Sequence, residues 1–197
     1  MKKLLFALAV VLPLFVQAQQ EKSRFSIIGR GGAGVSYSSI YDGMFSLNGV
    51  FGFGIDGKYD LDGSWSLLAG FEYQYHSGQD YFPFPDPSGN YVECPLSVFS
   101  HHYRLPVMAE CHFKWFYVAP GLYYEICKYA SWYKGCAGIC LDIGGKVELT
   151  DNNCLRIGLR PTFGMIYKPD SIDVSINGYS IEWELTGVVS FGFEHRF

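Results

Sequence analysis

The chain has 197 residues, a formal net charge of −4 and an aromatic content of 18%. A slightly acidic chain without a run of basic residues gives no reason to expect a nucleic-acid partner. Beyond the N-terminal segment, no stretch approaches the roughly 20 apolar residues that a membrane-spanning helix needs. The composition therefore argues against nucleic-acid-binding and helical membrane proteins, and the length suits one domain.

The N-terminal segment has the three parts of a secretory signal peptide. A short basic start at 1–3 is followed by an apolar stretch at 4–16 and a small-residue cleavage site at 16–18. The apolar stretch is too short to span a bilayer. We therefore predict a signal peptide at 1–18 and a single exported domain at 19–197.

From residue 25 onward, apolar residues alternate with small, polar or charged ones, which is the period of a β-strand with two unlike faces. In the last segment Trp183 and Leu185 alternate with Glu182, Glu184 and Thr186. Eight segments of this kind are separated by turn- and loop-forming residues. The predicted strands span, in chain order, 25–37, 45–58, 65–75, 102–112, 116–127, 139–149, 155–167 and 179–197.

The connections between these strands alternate between short and long. The short ones are 60–63, 113–114 and 151–153, and the long ones are 38–44, 77–100, 128–138 and 169–177. Outer-membrane barrels have short periplasmic turns and long outer loops, and an even number of strands leaves both termini in the periplasm. We therefore predict an all-β fold, an eight-stranded antiparallel up-and-down transmembrane β-barrel in the cell outer membrane with periplasmic N- and C-termini.

The polar faces of the strands carry most of the charged side chains. They are Arg30, Asp56, Lys58, Glu72, Arg104, Glu110, Glu125, Asp142, Lys146, Glu148, Arg156, Arg160, Glu182, Glu184, Glu194 and Arg196. A membrane barrel would enclose these charges, and large aromatics near the ends of the apolar faces favour that arrangement. Because both signs are mixed, we expect an ion-paired, filled lumen rather than a selective pore.

A soluble lipocalin-like ligand-binding barrel is the alternative for the fold. It would turn the charged faces to water and keep an apolar interior. The segment Gly63-Ser64-Trp65 is similar to the lipocalin Gly-x-Trp signature, although that signature belongs on a first strand and here it opens the third.

Six cysteines in an exported chain permit disulfides. Cys127 and Cys140 lie on the polar faces of two strands that should form a hairpin, and Cys94 and Cys136 lie in neighbouring loops on the same side. We predict the pairs Cys127–Cys140 and Cys94–Cys136, with reduced thiols as the alternative. Cys136-x-x-x-Cys140 has no second ligand pair at zinc-finger spacing, so no metal or cofactor is predicted.

Two strand segments and the last residue resemble a known family. They are His102-Tyr103-Arg104-Leu105-Pro106-Val107, Phe116-Tyr117-Val118-Ala119-Pro120-Gly121-Leu122 and Phe197. With these motifs the chain resembles the small outer-membrane β-barrels abundant in Bacteroidetes, the PorT-like or "outer membrane protein β-barrel" domains. The resemblance implies that Pro106 belongs in a strand and that Phe197 is the C-terminal aromatic signal for the barrel-assembly machinery. It implies no catalytic residue.

The outer loops contain aromatic and proline-rich stretches at 80–87 and 129–133 that suit contact with a partner, glycan or surface. We therefore predict a structural or surface-interaction role without catalysis. The predicted partners are outer-membrane lipid, the barrel-assembly machinery and a surface ligand or protein bound through the outer loops.

The alternative function is that of a rim-active lipid-modifying enzyme, which needs a nucleophile or base at the outer rim. His76, His101 and His102 lie near the outer ends of strands, with Ser77, Ser100 and Asp80 close in sequence. Their spacing along the chain does not by itself form a catalytic triad.

Overall fold

Eight antiparallel strands close into one barrel, in which each strand pairs with its chain neighbours and the last pairs with the first. The computed structural model describes residues 24–41, 44–85, 91–129, 132–166 and 182–197, so the predicted signal peptide lies outside the described residues. The strands are β1 (Phe25–Tyr41), β2 (Met44–Asp60), β3 (Trp65–Pro85), β4 (Tyr91–His112), β5 (Phe116–Tyr129), β6 (Trp132–Thr150), β7 (Asn153–Ile166) and β8 (Glu182–Arg196). This confirms the predicted up-and-down fold. Among these residues, none forms a helix long and apolar enough to cross a membrane.

The largest difference from the predicted boundaries lies between β3 and β4. The stretch at 77–100 was expected to be irregular, but most of it is paired strand. β2 pairs with β3 only as far as Gly78, and β5 pairs with β4 only from Ser100. Residues 79–85 and 91–97 therefore form a two-stranded arm beyond the barrel wall, in which proline is tolerated because both strands are edges.

The start of β6 also differs from the prediction, and the start of the last strand is untested. β6 begins at Trp132, although 132–138 was expected to be a loop. The predicted loop at 169–177 and the first residues of the predicted last strand, 179–181, lie outside the described residues.

The turn between β2 and β3 shows why the short connections are tight. The backbone N–H groups of Ser64 and Trp65 donate to Asp62 Oδ1 at 2.7 and 2.8 Å. These two bonds lower the pKa of the Asp62 carboxyl, because they favour its charged form. The predicted tight turn at 60–63 is confirmed.

The strands turn their polar faces inward and their apolar faces outward. Asp56 and Glu110 are fully buried inside the barrel, whereas Phe51 and Phe53 on the outer face are 60% and 55% exposed. In β5 the inward residues have odd numbers, among them Glu125. The face assignment is confirmed, and an apolar interior of the lipocalin kind is excluded.

The outer surface has the height of a bilayer core. On β3 the outward residues run from Trp65 to Tyr75. With a rise of about 3.3 Å per residue and a strand tilt of about 40°, this stretch spans a band of about 25 Å along the barrel axis. Aromatic side chains occur at both ends of this band, with Trp115 at the turn end and Phe99 stacked on Tyr75 at the arm end. Outer-membrane barrels have an apolar band of about this height between two aromatic girdles.

Glycines on the inner face make room for two buried tyrosines. A Cβ atom at Gly144 or Gly158 would lie 2.6 or 2.5 Å from the hydroxyl of Tyr117, and a Cβ atom at Gly164 would lie 2.3 Å from the hydroxyl of Tyr123. The two tyrosine side chains therefore occupy the space that side chains at these glycine positions would need. The lumen is packed with side chains.

The two predicted disulfides are wrong, because the strand register separates the cysteines. Cys127 lies opposite Lys134 on β6, and the distance along β6 from position 134 to Cys140 is roughly 20 Å. Cys94 lies in the arm opposite Phe82, far from Cys136 in the barrel wall. A disulfide needs Cα atoms within about 7 Å. The thiols of Cys127, Cys136 and Cys140 are free.

Candidate functional site

The lumen holds charged side chains in three layers, and the layer nearest the short turns contains three cations. Lys58 Nζ lies 2.9 Å from Glu194 Oε1, and Lys146 Nζ lies 2.6 Å from Glu110 Oε1. Arg156 contacts both carboxylates, at 2.9 Å in the case of Glu194. Lys58 Nζ also lies 3.5 Å from Asp60 Oδ1, so three cations face three carboxylates in this turn-end layer.

The middle layer joins two arginines to three carboxylates. Glu72 Oε2 accepts hydrogen bonds from Arg30 Nη2 and Arg160 Nη1, each at 3.0 Å. Arg30 also bonds Asp56, and Arg160 also bonds Asp142. All five groups are buried, and each arginine satisfies two carboxylates, which is the condition under which buried charges are tolerated.

The outer layer, nearest the arm, contains one arginine between two carboxylates. Arg104 bonds Glu125 directly, and its Nη2 lies 3.5 Å from Glu184 Oε1. Its Nη1 also donates to Thr162 at 3.2 Å, and Thr186 donates to Glu184 at 2.7 Å. This layer therefore has one more carboxylate than arginine. The predicted ion-paired lumen is confirmed in all three layers.

A cluster of five side chains occupies the outer layer, and we call it the histidine cluster: His76, His102, Glu125, Cys127 and Glu184. The two imidazole rings stack with centroids 3.7 Å apart. His102 Nδ1 lies 2.8 Å from Glu125 Oε1, and Cys127 Sγ lies 3.2 Å from the same nitrogen and 2.6 Å from the same oxygen. His76 Nδ1 lies 3.4 Å from Glu184 Oε1. The cluster combines imidazole, thiol and carboxylate groups, which are the usual protein ligands of zinc.

The register of three neighbouring strands builds this cluster. His102 on β4 lies opposite Cys127 on β5, and Gln74 on β3 lies opposite His102 on its other side. Cross-strand neighbours on one face have Cβ atoms about 5 Å apart, so these side chains meet whenever both point inward. Sequence analysis assigned Cys127 to the inward face but missed its contact with His102.

The residues proposed for an active site at the outer rim separate between the two faces of the barrel wall. His76 and His102 are buried in the lumen, whereas His101 points outward, where its Nδ1 lies 2.8 Å from the hydroxyl of Tyr73. Ser77 follows His76 on β3 and so lies on the opposite face. The side chain of Asp80 lies outside the described part of the chain. Among the described side chains, the three histidines and Ser77 therefore do not lie on one face at the outer rim.

One serine does lie beside a lumen histidine. Ser100 Oγ is 2.8 Å from His102 Nε2, and His102 Nδ1 is in turn 2.8 Å from Glu125. The order of hydroxyl, imidazole and carboxylate is that of a nucleophile, base and orienting acid. Ser100 is buried on the inner face of β4, so a substrate would have to enter the lumen to reach it.

The lumen is open at the turn end and closed farther in. A cavity of about 270 Å³ is lined by Lys58, Lys146, Glu194 and Arg196, among others. Two cavities deeper in the lumen, beside Arg30, measure about 10 Å³ each, enough for about one water molecule.

At the same end, Phe197 contacts the first residue of β1. Its backbone N–H donates to the carbonyl oxygen of Phe25 at 3.2 Å, and the two rings stack at 6.1 Å. Phe197 is 57% exposed, so its ring is accessible from outside the barrel. Its predicted part in barrel assembly stays a prediction.

Comparison with known proteins identifies the fold. No family model matches the chain, and no curated protein matches it. Among solved structures, the chain is similar to Neisserial surface protein A (NspA), with 15% identity over 89% of this chain and 98% of that one and a TM-score of 0.56. It is also similar to the outer membrane protein OprG from Pseudomonas aeruginosa, with 13% identity over 91% and 98% and a TM-score of 0.54. The chain therefore has the small eight-stranded barrel fold of these proteins.

Proposed function

We propose that this protein is an outer-membrane β-barrel with a filled lumen that holds the β3–β4 arm outside the cell as a contact surface. The arm carries this proposal. Its residues 79–85 and 91–97 pair with each other beyond the last residues at which β3 pairs with β2 and β4 pairs with β5. An open strand edge offers backbone N–H and C=O groups to an extended partner segment.

The surface of the barrel supports the outer-membrane location. An apolar band of about 25 Å with aromatic ends fits a bilayer core and is costly in water. The filled lumen supports a structural role over conduction. In this arrangement the short turns and both termini lie in the periplasm, and Phe197 presents its ring to the barrel-assembly machinery. Membership of the PorT-like domains is part of this proposal.

The location is tested by cell fractionation combined with gel mobility of unboiled and boiled samples. A membrane-fraction band whose mobility shifts on boiling supports the barrel. A soluble periplasmic protein without the shift refutes it. In planar bilayers the filled lumen should give no discrete conductance steps, and regular steps would show that the lumen is open.

The orientation is tested with one epitope tag at two positions. A tag between β3 and β4, within 86–90, should bind antibody on intact cells, because this connection lies outside. The matched tag between Asp151 and Asn152 should bind antibody only after the outer membrane is permeabilised. The reverse pattern would place the arm in the periplasm and refute the proposal.

The contact role is tested by removing the arm while keeping the barrel. Gly78 and Val98 lie opposite each other, so a two-residue Asn-Gly turn between them replaces 79–97 without changing the register below. The shortened barrel should keep its mobility shift and lose the surface partners that are cross-linked to the intact protein on cells. Identical cross-linked products from both proteins would refute the contact role.

A hydrolytic role of Ser100 is the second candidate, favoured by its 2.8 Å contact with His102. A fluorophosphonate probe added to the folded barrel should then label Ser100, and Ser100→Ala should abolish the label. A folded wild-type barrel without label would remove this candidate, because the serine would then lack either activation or access.

A further inference from the structure

We propose that the histidine cluster is a binding site for one zinc ion, held in the outer layer of the lumen by His102, Cys127 and Glu125, with His76 and Glu184 beside it. Two sets of side chains place one donor atom each within 4.8 Å of the others: His76, His102 and Glu184, and His102, Glu125 and Cys127. Both sets include His102, and we assign the ion to the second set.

The distances within the second set are close to those of a metal centre. A tetrahedral zinc ion with bonds of about 2.0–2.3 Å separates its ligand atoms by roughly 3.3–3.8 Å. Here His102 Nδ1, Glu125 Oε1 and Cys127 Sγ lie 2.6–3.2 Å apart. An expansion of less than about 1 Å would admit the ion. The thiol proton of Cys127 would be released to solvent when the ion binds.

Neighbouring side chains hold both imidazoles in an orientation suited to metal binding. Gln74 Nε2 donates to the carboxylate of Glu72, which can only accept, so Gln74 Oε1 accepts from His76 Nε2 at 2.9 Å. In a neutral His76 ring the lone pair then lies on Nδ1, which is directed at Ser36 and Glu184. Metal-binding histidines are typically fixed in this way through the nitrogen that does not bind the metal.

His102 has the same arrangement, with Nε2 near a neutral side chain and Nδ1 near a carboxylate. Ser100 Oγ lies 2.8 Å from His102 Nε2 and can accept its proton, which leaves Nδ1 for the ion. In each imidazole, one nitrogen thus contacts a neutral polar side chain two residues away on the same strand. The other nitrogen contacts a carboxylate.

The charge and the chemistry of the cluster favour a zinc-like cation. In the outer layer Arg104 faces two carboxylates, so a further positive charge balances the layer. Thiolate and imidazole ligands favour zinc over calcium and magnesium, which prefer oxygen ligands. The buried position of the donors, of which His102 and Cys127 are fully buried, would strengthen their interaction with the ion.

The experiment uses the full mature barrel, folded in detergent micelles, freed of metal with a chelator and then titrated with Zn²⁺ and with Co²⁺ as its spectroscopic substitute. We expect one ion per barrel and a thiolate-to-cobalt charge-transfer band in the near ultraviolet. Cys127→Ala should abolish this band, and His102→Gln should weaken Zn²⁺ binding by at least about 100-fold, since the loss of an outer-shell partner alone costs 10–100-fold.

Two matched controls distinguish the site from adventitious binding. Cys140→Ala removes another buried, inward-facing thiol, and His101→Gln removes the adjacent, outward-facing histidine. Both should keep the affinity within about 3-fold of the wild type. Absence of binding, or binding that Cys127→Ala and His102→Gln leave unchanged, overturns the proposal. The gel mobility shift verifies folding, and if His102→Gln does not fold, the Cys127→Ala spectrum decides.

Discussion

Replacing Arg160 tests whether the ion network holds the barrel together. The Arg160 side chain is 3% exposed, lies 3.0 Å from Glu72 and bonds Asp142, with Asp56 at 3.9 Å. At an effective dielectric constant near 20, each contact is worth about 4 kcal/mol before the cost of desolvation. Arg160→Met leaves Arg30 alone with three buried carboxylates, and breaking a buried ion pair costs about 3–5 kcal/mol.

The assay is urea unfolding of the barrel in lipid vesicles, followed by the gel mobility shift. With a slope of about 1–3 kcal/mol per molar urea, the midpoint of Arg160→Met should fall by at least about 1 M. Arg196→Met, at the exposed end of β8, is the control and should change stability by less than about 0.5 kcal/mol. Adding Asp142→Asn to Arg160→Met should recover part of the loss, because one unpaired carboxylate is then neutral.

An unchanged midpoint for Arg160→Met would refute this reasoning. It would mean that water solvates Asp142 and Glu72 as well as Arg160 does, and hence that the lumen is wet. A wet lumen should also give conductance steps in planar bilayers. The conductance measurement is therefore a second test of the filled lumen.

Three further predictions concern packing, the lipid face and assembly. Gly158→Ala should destabilise the barrel by about 1–3 kcal/mol in urea unfolding, because the new Cβ lies 2.5 Å from the Tyr117 hydroxyl. Adding Tyr117→Phe should recover part of this loss, and full stability of Gly158→Ala alone would contradict the packing. Leu159→Arg places a charge on the lipid face and should cost about 2–4 kcal/mol in vesicles if the residue lies near the bilayer midplane, whereas little change would contradict the assigned face. Deletion of Phe197 should lower the yield of folded barrel in cells while the purified protein still refolds in detergent, and an unchanged yield would rule out its role as an assembly signal.

The sequence was sufficient for the fold because alternation has a period of two. A strand that is charged on one face and apolar on the other has a single inward face, and closing eight of them fixes the direction of almost every side chain. The inward direction of Arg160 and the outward direction of Leu159 follow from parity alone. The arm was missed because Pro83 and Pro85 indicate a loop, whereas edge strands accept proline.

The disulfide error shows how far register can be predicted. The sequence suggested a β5–β6 loop at 128–138, which would bring Cys127 close to Cys140. In the structure the strands continue to Tyr129 and from Trp132, so the pairing shifts and Cys127 lies opposite Lys134. Loop residues that can also form strand therefore make the register of a hairpin uncertain, even where the inward faces are correct.

Part of the histidine cluster could have been predicted from the sequence. The short turn between β4 and β5 fixes their register, so the opposition of His102 and Cys127 could have been derived from that turn. The contact between His76 on β3 and Glu184 on β8 could not, because it crosses the lumen and depends on the tilt and stagger with which the barrel closes.

Gln74 connects the two parts of the lumen on which our main predictions rest. Its amide group bonds Glu72 of the middle layer, and its carbonyl oxygen orients His76 of the histidine cluster. Side chains in one hydrogen-bonded network show interaction energies of about 0.5–3 kcal/mol. Zinc at 100 times its dissociation constant should stabilise the folded barrel by about 2.7 kcal/mol. If Gln74 couples the middle layer to the histidine cluster, zinc should stabilise Arg160→Met by less than it stabilises the wild type. With Gln74→Leu in both proteins, the coupling is removed, so the stabilisation by zinc should be the same with and without Arg160→Met.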